Sequence, residues 1–314
     1  MTLHVIVGSG PVGSATAIRL AKDGQQIRVV TRAGSGPTIE GVECIACDAR
    51  DVERLVPLVR GAAALYSCAS PAYRRWVTDW PPLAASLLST AERTGAVLVT
   101  MSNLYGYGPV AHPMTEDDPL LPVGPKGRVR AQIWTEALAA HEAGRARVTE
   151  ARASDFFGPG VRQQGHIGER SMPRLLRGSP IRVFGDPDAQ HSWTYVPDIA
   201  SALATLGRDE RSWGRAWHVP TSPPMSQREV FAALARLAGA PTPRVRALPP
   251  WQLRAAGVVV PFVRELEEVR YQFDRPFVMN SSAYQATFAV SPTPMEEALA
   301  ATVAWWNEQG RAAA

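Results

Sequence analysis

The hexapeptide Gly8-Ser9-Gly10-Pro11-Val12-Gly13 stands directly behind a short apolar run, Leu3 to Val7, and directly ahead of a segment with helical periodicity. Few sequence features restrict a fold more. The first glycine of such a turn permits a tight reversal and the second lets a ligand's pyrophosphate approach the backbone. The third lets the helix pack against the strand, and the helix N-terminus favours phosphate charge. Gly8, Ser9, Gly10, Pro11, Val12 and Gly13 are therefore expected to cradle a dinucleotide.

The segments that follow agree with this start. Apolar runs at Gln26 to Thr31, Val42 to Ala46, Ala63 to Cys68, Ala96 to Met101 and Arg147 to Ala153 read as strands. Residues 14–23, Asp51 to Arg60, Trp80 to Thr94 and Arg128 to Glu142 read as helices between them. Alternation of this kind needs parallel crossovers and predicts an α/β fold, a Rossmann-type doubly wound parallel sheet. The later half is rich in proline turns, with helices expected at Gln227 to Ala238, Phe262 to Tyr271 and Pro294 to Trp306. It reads as a smaller C-terminal α+β substrate lobe. The expected division is a dinucleotide-binding domain over 1–158, to which 181–206 returns, and a lobe formed by 159–180 and 207–314.

The end of the second strand bears on the choice of cofactor. An NAD site places a carboxylate there for the ribose 2′-hydroxyl, but Thr31, Arg32 and Ser35 offer none. Arg32, with its planar fork of donors, and Ser35 suit a 2′-phosphate, so NADP(H) is expected. Asp48, after the third strand, reads equally as an acceptor for the adenine amino group and as a plain N-cap for the following turn. Ala69 and Ser70 follow the fourth strand, where small residues let a cofactor run past.

Composition excludes several partners. The net charge is +4, yet the basic residues are scattered and not interleaved with aromatic ones, so no nucleic acid is expected. No apolar stretch approaches the length of a membrane helix, Ala255 to Val263 included, and the N-terminus carries no basic leader. Three cysteines make no disulfide framework, Cys44 and Cys47 read as thiols at a strand end, and the six histidines lack ligand spacing. No metal is expected, and the cytoplasm is the expected compartment. Only two lysines occur, Lys22 and Lys126, which narrows any chemistry that needs one.

Several further motifs lie in a recognisable order. They are Arg152-Ala153-Ser154-Asp155-Phe156-Phe157-Gly158-Pro159-Gly160, Val183-Phe184-Gly185-Asp186, Trp193-Thr194-Tyr195-Val196-Pro197-Asp198-Ile199-Ala200 and Trp217-His218-Val219-Pro220. With the glycine turn and Asp48, they make the chain resemble an extended, atypical short-chain dehydrogenase/reductase of the NAD-dependent epimerase/dehydratase family. That resemblance implies a serine after the fifth strand and a Tyr-x-x-x-Lys pair on the next helix, the tyrosine relaying a proton. This sequence departs from both. Aligning Tyr107-Gly108 on the family's Tyr-Gly puts Asn103 at the serine position, whereas aligning Tyr105-Gly106 puts Met101 there. With Glu136 as anchor, the tyrosine position holds Arg128 and the lysine position Gln132, and Lys126 is preceded at four residues by Pro122.

The resemblance also implies an arginine for a sugar nucleotide's diphosphate after Gly185-Asp186, where His191 stands, and an asparagine where Asp155 stands. Asp155 and His191 are accordingly expected to bind a small-molecule substrate that is not a nucleotide sugar. The resulting expectation is an NADPH-dependent, ketoreductase-type oxidoreductase acting on a carbonyl. Asn103 with Tyr105 or Tyr107 would stabilise the alkoxide, and Lys126 or Arg128 would add charge. A non-catalytic NADP(H)-binding sensor or scaffold is the alternative, and an epimerase or dehydratase the third reading. Analogy with the family suggests a homodimer.

Overall fold

The computed structural model describes residues 1–163, 165–249, 265 and 267–312. The chain divides into two compact units. Unit one comprises Met1–Gly108, Pro119–Ala153 and Pro197–Val219; unit two comprises Pro109–Asp118, Ser154–Val196 and Pro220–Ala314.

Unit one opens with β1 (Leu3–Val7), α1 (Pro11–Lys22), β2 (Gln26–Thr31) and β3 (Val42–Ala46). It continues through α2 (Val52–Val59), β4 (Ala62–Ser67), α3 (Trp76–Thr94), β5 (Val97–Ser102), α4 (Pro125–Glu142) and β6 (Val148–Arg152). The chain then runs through unit two as β7 (Asp155–Phe157), α5 (Met172–Leu176), β8 (Ile181–Val183), β9 (Gln190–His191) and β10 (Trp193–Tyr195). Helix α6 (Val196–Leu206) and β11 (Ala216–His218) bring it back to unit one. Unit two closes with β12 (Met225–Ser226), α7 (Gln227–Leu237), β13 (Val245–Ala247) and helices over Tyr271–Asp274, Ser282–Phe288 and Met295–Ala312.

Seven parallel strands form the sheet of unit one in the order β11-β6-β5-β4-β1-β2-β3. The order reverses between β1 and β4, and in such sheets ligands bind beyond the strands' carboxyl ends at that reversal. The central strands are buried on both faces, which explains their continuous apolar runs. Side chains of α3 and α4, among them Trp80, Leu87, Ile133 and Trp134, pack with Leu65 and Leu98 of the sheet.

Helix α3 begins at Trp76 rather than at Trp80, with Pro81 and Pro82 inside it. The carbonyls those prolines leave without a helical donor belong to Val77 and Thr78, both exposed, so water can satisfy them. Gly95, at φ 75°, then ends the helix.

The expected division of the chain is corrected in two places. Residues 181–206 do not return to the main sheet as strands: β8 pairs with β13, and β10 with β7, both within unit two. Ile181 to Val183 buries alternate residues, the pattern of a one-sided edge strand rather than of a central one. The returning segment is Pro197–Val219, and the first boundary falls after Ala153, because Asp155–Phe157 is already engaged with Trp193–Tyr195. Unit two has its own core, including Phe157, Trp193, Phe231, Leu234 and Trp306. A Ser226–Glu229 capping box starts α7. The expected helix over Phe262 to Tyr271 falls partly outside the described residues, and the Ala255 to Val263 stretch wholly so. Among the described residues no helix is long and apolar enough to cross a membrane.

Candidate active site

The glycine turn links β1 to α1 at the sheet's reversal. Gly8 has φ 103°, and a Cβ there would lie 2.5 Å from the Ala69 nitrogen. A Cβ on Gly13 would lie 2.1 Å from the Gly8 carbonyl oxygen. Gly10 is different: a Cβ there meets nothing within 4 Å. Two glycines are thus required by the protein's own packing, while the third faces open space at the helix N-cap, with Pro11 at the first helical position. Ser14 ties the turn down, its Oγ donating to the Ser9 carbonyl at 2.9 Å. The arrangement fits a pyrophosphate resting on the N-terminus of α1 and passing Ala69 and Ser70.

At the ends of β2 and β3, the Thr31 hydroxyl donates to the Ser35 carbonyl at 3.0 Å and accepts from the Ser35 amide at 2.8 Å. The loop so closed carries Arg32 and Ser35 exposed. Asp48 is gripped by Arg50, with Nη2 to Oδ2 at 2.6 Å and Nε to Oδ1 at 3.1 Å. The Arg50 bonds, with a smaller contribution from Arg32, hold the Asp48 carboxyl down at about 2. Asp48 caps the turn that follows it, its Oδ1 accepting from the Arg50 amide at 3.1 Å, and Asp51 then caps α2, accepting from the Arg54 amide.

The expected register of α4 is corrected. Its buried face carries Lys126, 6% exposed, and Arg130, 4% exposed, whereas Arg128 and Gln132 lie on the exposed side. Helical geometry explains this: Lys126 and Arg130 are four residues apart and share a face with Val129, Ile133 and Ala137. The Lys126 ammonium lies 4.6 Å from the centre of the Tyr73 ring. Gly127 permits this seating, because a Cβ there would come within 2.6 Å of the Tyr105 carbonyl oxygen. Arg130 donates from Nη2 to the Met101 carbonyl at 2.7 Å and covers the Trp80 ring at 4.5 Å, while its buried Nε and Nη1 have no partner among the described residues.

Tyr105 and Tyr107 separate into two environments. The Tyr105 hydroxyl lies 3.5 Å from that of Tyr73, and its amide donates to the Asn103 Oδ1 at 3.2 Å. Tyr107 is fully buried; its hydroxyl accepts from Arg152 at 2.6 Å and faces His218 Nε2 at 2.7 Å. Arg152 also donates to Glu150 at 2.7 Å. Tyr107 therefore belongs to a buried network with Arg152, His218 and Glu150. Tyr105 and Lys126 both meet Tyr73, a residue that no motif in the sequence marks, and Asn103 is joined to Tyr105.

In unit two, Asp155 and His191 meet directly, Oδ2 to Nε2 at 2.8 Å. His191 is stacked on Phe273 at 4.9 Å, and its Nδ1 lies 3.1 Å from the Gln272 carbonyl. That carbonyl only accepts, so Nδ1 bears a proton, and the bond to Asp155 needs one more. His166 approaches the other carboxylate oxygen at 3.7 Å. Burial favours the neutral acid, but the hydrogen bond from His191 and the two neighbouring imidazoles hold the Asp155 carboxyl below its usual range. Burial pushes the His166 imidazole down.

A model of the NAD dependent epimerase/dehydratase family matches residues 5–218. UDP-glucuronic acid decarboxylase 1 of Xenopus tropicalis is 28% identical over 221 residues, covering 63% of this chain and 52% of that protein. The chain thus spans about half the length of that relative. UDP-glucose 4-epimerase of Mycolicibacterium smegmatis is 25% identical over 268 residues, covering 77% of this chain and 84% of that protein. Among solved structures, the dTDP-glucose 4,6-dehydratase of Bacillus anthracis in complex with NAD superimposes with a TM-score of 0.81 at 18% identity. It covers 99% of this chain and 98% of its own. The UDP-glucose 4-epimerase of Thermotoga maritima with UDP-glucose gives 0.79 at 17% identity, covering 98% and 99%.

The structural likenesses establish the fold. The curated relatives overturn the expectation of a ketoreductase whose substrate is not a nucleotide sugar, since by name they act on UDP-sugars. That exclusion rested on the side chains at Asp155 and His191. Two altered side chains in one part of a site change how a ligand is held without deciding its class.

Proposed function

The chain belongs to the NAD dependent epimerase/dehydratase family, and on that premise we propose that it is a nicotinamide-dependent enzyme acting on a nucleotide sugar, with NADP(H) as its cofactor. The observation that carries the cofactor reading is the glycine turn, in which Gly8 and Gly13 are sterically required and Gly10 faces open space. Thr31 shapes the loop that presents Arg32 and Ser35 to a 2′-phosphate, and Asp48 with Arg50 borders the adenine end. The relatives' names support the nucleotide sugar.

When bound, the nicotinamide supplies hydride exchange with a substrate carbon. The protein supplies orientation, charge and the path of the proton. Lys126 and Arg130 take the two places on α4, four residues apart, that the family resemblance gives to tyrosine and lysine. Arg130 keeps its proton under all ordinary conditions, so it acts as a fixed positive charge on the buried face of α4. Lys126 adds a second cation beside Tyr73 and Tyr105. The Asn103 amide and the Tyr105 hydroxyl are the groups of unit one to meet a substrate oxygen; the Asp155–His191 pair of unit two is a candidate substrate-binding pair in its own right.

Incubation of the full chain with NADP+ or NAD+ and a panel of UDP- and dTDP-hexoses and hexuronic acids tests this reading. Chromatography with mass spectrometry separates an epimer of unchanged mass from products that have lost water or carbon dioxide. Conversion of at least one nucleotide sugar is expected. Nicotinamide binding without conversion of any of them would instead favour a binding protein.

A further inference from the structure

We propose that Tyr73, together with Tyr105 and Lys126, forms the proton-transferring group of this site. The inference rests on the nicotinamide-dependent reading above and adds to it a residue and a division of labour. Helix α4 contains no tyrosine, so a phenol that serves this chemistry comes from another element. Unit one holds four tyrosines. Tyr66 is buried beside His4, and burial pushes its phenol far above the ordinary range. Tyr107 is enclosed by Arg152 and His218. Tyr73 and Tyr105 remain, both half-buried.

Their placement suits the task. Tyr73 follows the end of β4 and Tyr105 follows the end of β5, on the side of the sheet where Ala69 meets the glycine turn. Trp76 supports both rings, edge-on to Tyr73 at 5.1 Å and tilted to Tyr105 at 5.8 Å, and its indole nitrogen donates to the Pro71 carbonyl. The 3.5 Å separation of the two hydroxyls lets one phenol donate to the other, and the Lys126 ammonium sits over the Tyr73 ring. Among the described residues, Lys126 of α4 lies over the Tyr73 ring, and Arg74 and Arg75 follow Tyr73 on its own turn, Arg75 paired with Asp79 at 2.8 Å. The neighbouring Asn103 and Trp76 are neutral. A hydrogen-bond donor and a cation both favour a phenolate over a phenol.

Tyr105 is the catalytic member and Tyr73 the positioning one. In the oxidative direction the substrate O–H bond breaks and its proton passes to the Tyr105 phenolate oxygen. The O–H electron pair becomes the second bond of the carbonyl, and a nicotinamide held at the glycine turn would accept the C–H hydrogen with its electron pair. Tyr73 donates a hydrogen bond to Tyr105 before the transfer and accepts one after it, under the charge of Lys126.

The test is a phenol titration of the full chain carrying 13Cζ-labelled tyrosine, from about pH 6 to about pH 11 across the ordinary phenol range. Tyr73→Phe and Tyr105→Phe assign the two signals and preserve ring packing. The expected result is two coupled steps, the first at least one pH unit below the second. Tyr73→Phe and Lys126→Gln should each raise the Tyr105 titration by about one unit, and Lys126→Arg should restore it. Independent titrations, with Tyr105 unmoved in Tyr73→Phe and in Lys126→Gln, would overturn the proposal. Because no substrate is needed, this failure is distinct from failure of the nucleotide-sugar reading, which the conversion assay reports. With a converted sugar in hand, the limb of the kcat/KM pH profile should move with the same variants.

Discussion

Lys126 and Arg130 stand one helical turn apart on the buried face of α4, both almost wholly removed from solvent. Arg130 keeps one hydrogen bond, to Met101, and leaves two buried nitrogens without a partner among the described residues. A cation so poorly satisfied is costly to fold, and such costs concentrate at functional sites. Arg130→Met, which keeps the bulk and removes the charge, should leave the thermal midpoint unchanged or raise stability by about 1–2 kcal/mol. It should also lower nucleotide-sugar conversion by about a hundredfold, the scale of one electrostatic donor. Thermal unfolding and product formation, measured on the same preparation, check both halves.

The glycine turn separates folding from binding in the same way. Gly13→Ala drives a methyl group into the Gly8 carbonyl and should cost about 1–3 kcal/mol, read as a lower midpoint without any nucleotide present. Gly10→Ala adds a methyl to open space. Its midpoint should match the parent's, while its NADPH affinity should fall by about tenfold, or about 1.4 kcal/mol.

Much of this site was legible from sequence because it depends on local rules. Gly8 to Gly13 declares both the turn and its ligand class, and the central strands β1, β4 and β5 are marked by runs buried on both faces. What escaped depends on distant packing. The inward register of α4 follows from Lys126, Val129, Arg130 and Ile133 sharing a face, a spacing present in the sequence but obscured by anchoring on Glu136, which is exposed. Tyr73 sits in a short turn with no periodicity, and only the folded chain brings its hydroxyl to Tyr105. Residues 181–195 form strands of only two or three residues, which carry too little pattern to name their partners.

The enclosed network of unit one makes a prediction about stability rather than chemistry. Tyr107→Phe leaves the Arg152 Nη1 and the His218 Nε2 facing a bare ring edge. The loss should be about 1–3 kcal/mol in chemical denaturation, the range for orphaning buried polar groups. NADPH binding, measured below the unfolding transition, should be retained.

His4 gives unit one a specific response to acid. Burial first, and the charge of Arg208 second, lower its imidazole to about 4. The unfolded chain protonates the same group at about 6.5, so as the pH falls the unfolded state takes up the proton first. The contribution is fully present above about pH 6.5 and is lost progressively down to about 4, reaching at most ~3 kcal/mol. His4→Asn keeps a polar neighbour for the Tyr66 hydroxyl and should flatten the dependence of stability on pH across that window. Denaturant titrations at a series of pH values measure the difference in slope.

Isothermal titration of the full chain with NADPH and with NADH, alongside the Arg32→Ala variant, tests the central claim most directly. The account predicts that NADPH binds at least about tenfold more tightly than NADH, and that Arg32→Ala removes this preference while leaving NADH affinity unchanged, as expected for a lost bidentate phosphate contact. Failure of both nucleotides to bind, or a preference for NADH that Arg32→Ala does not alter, would contradict it.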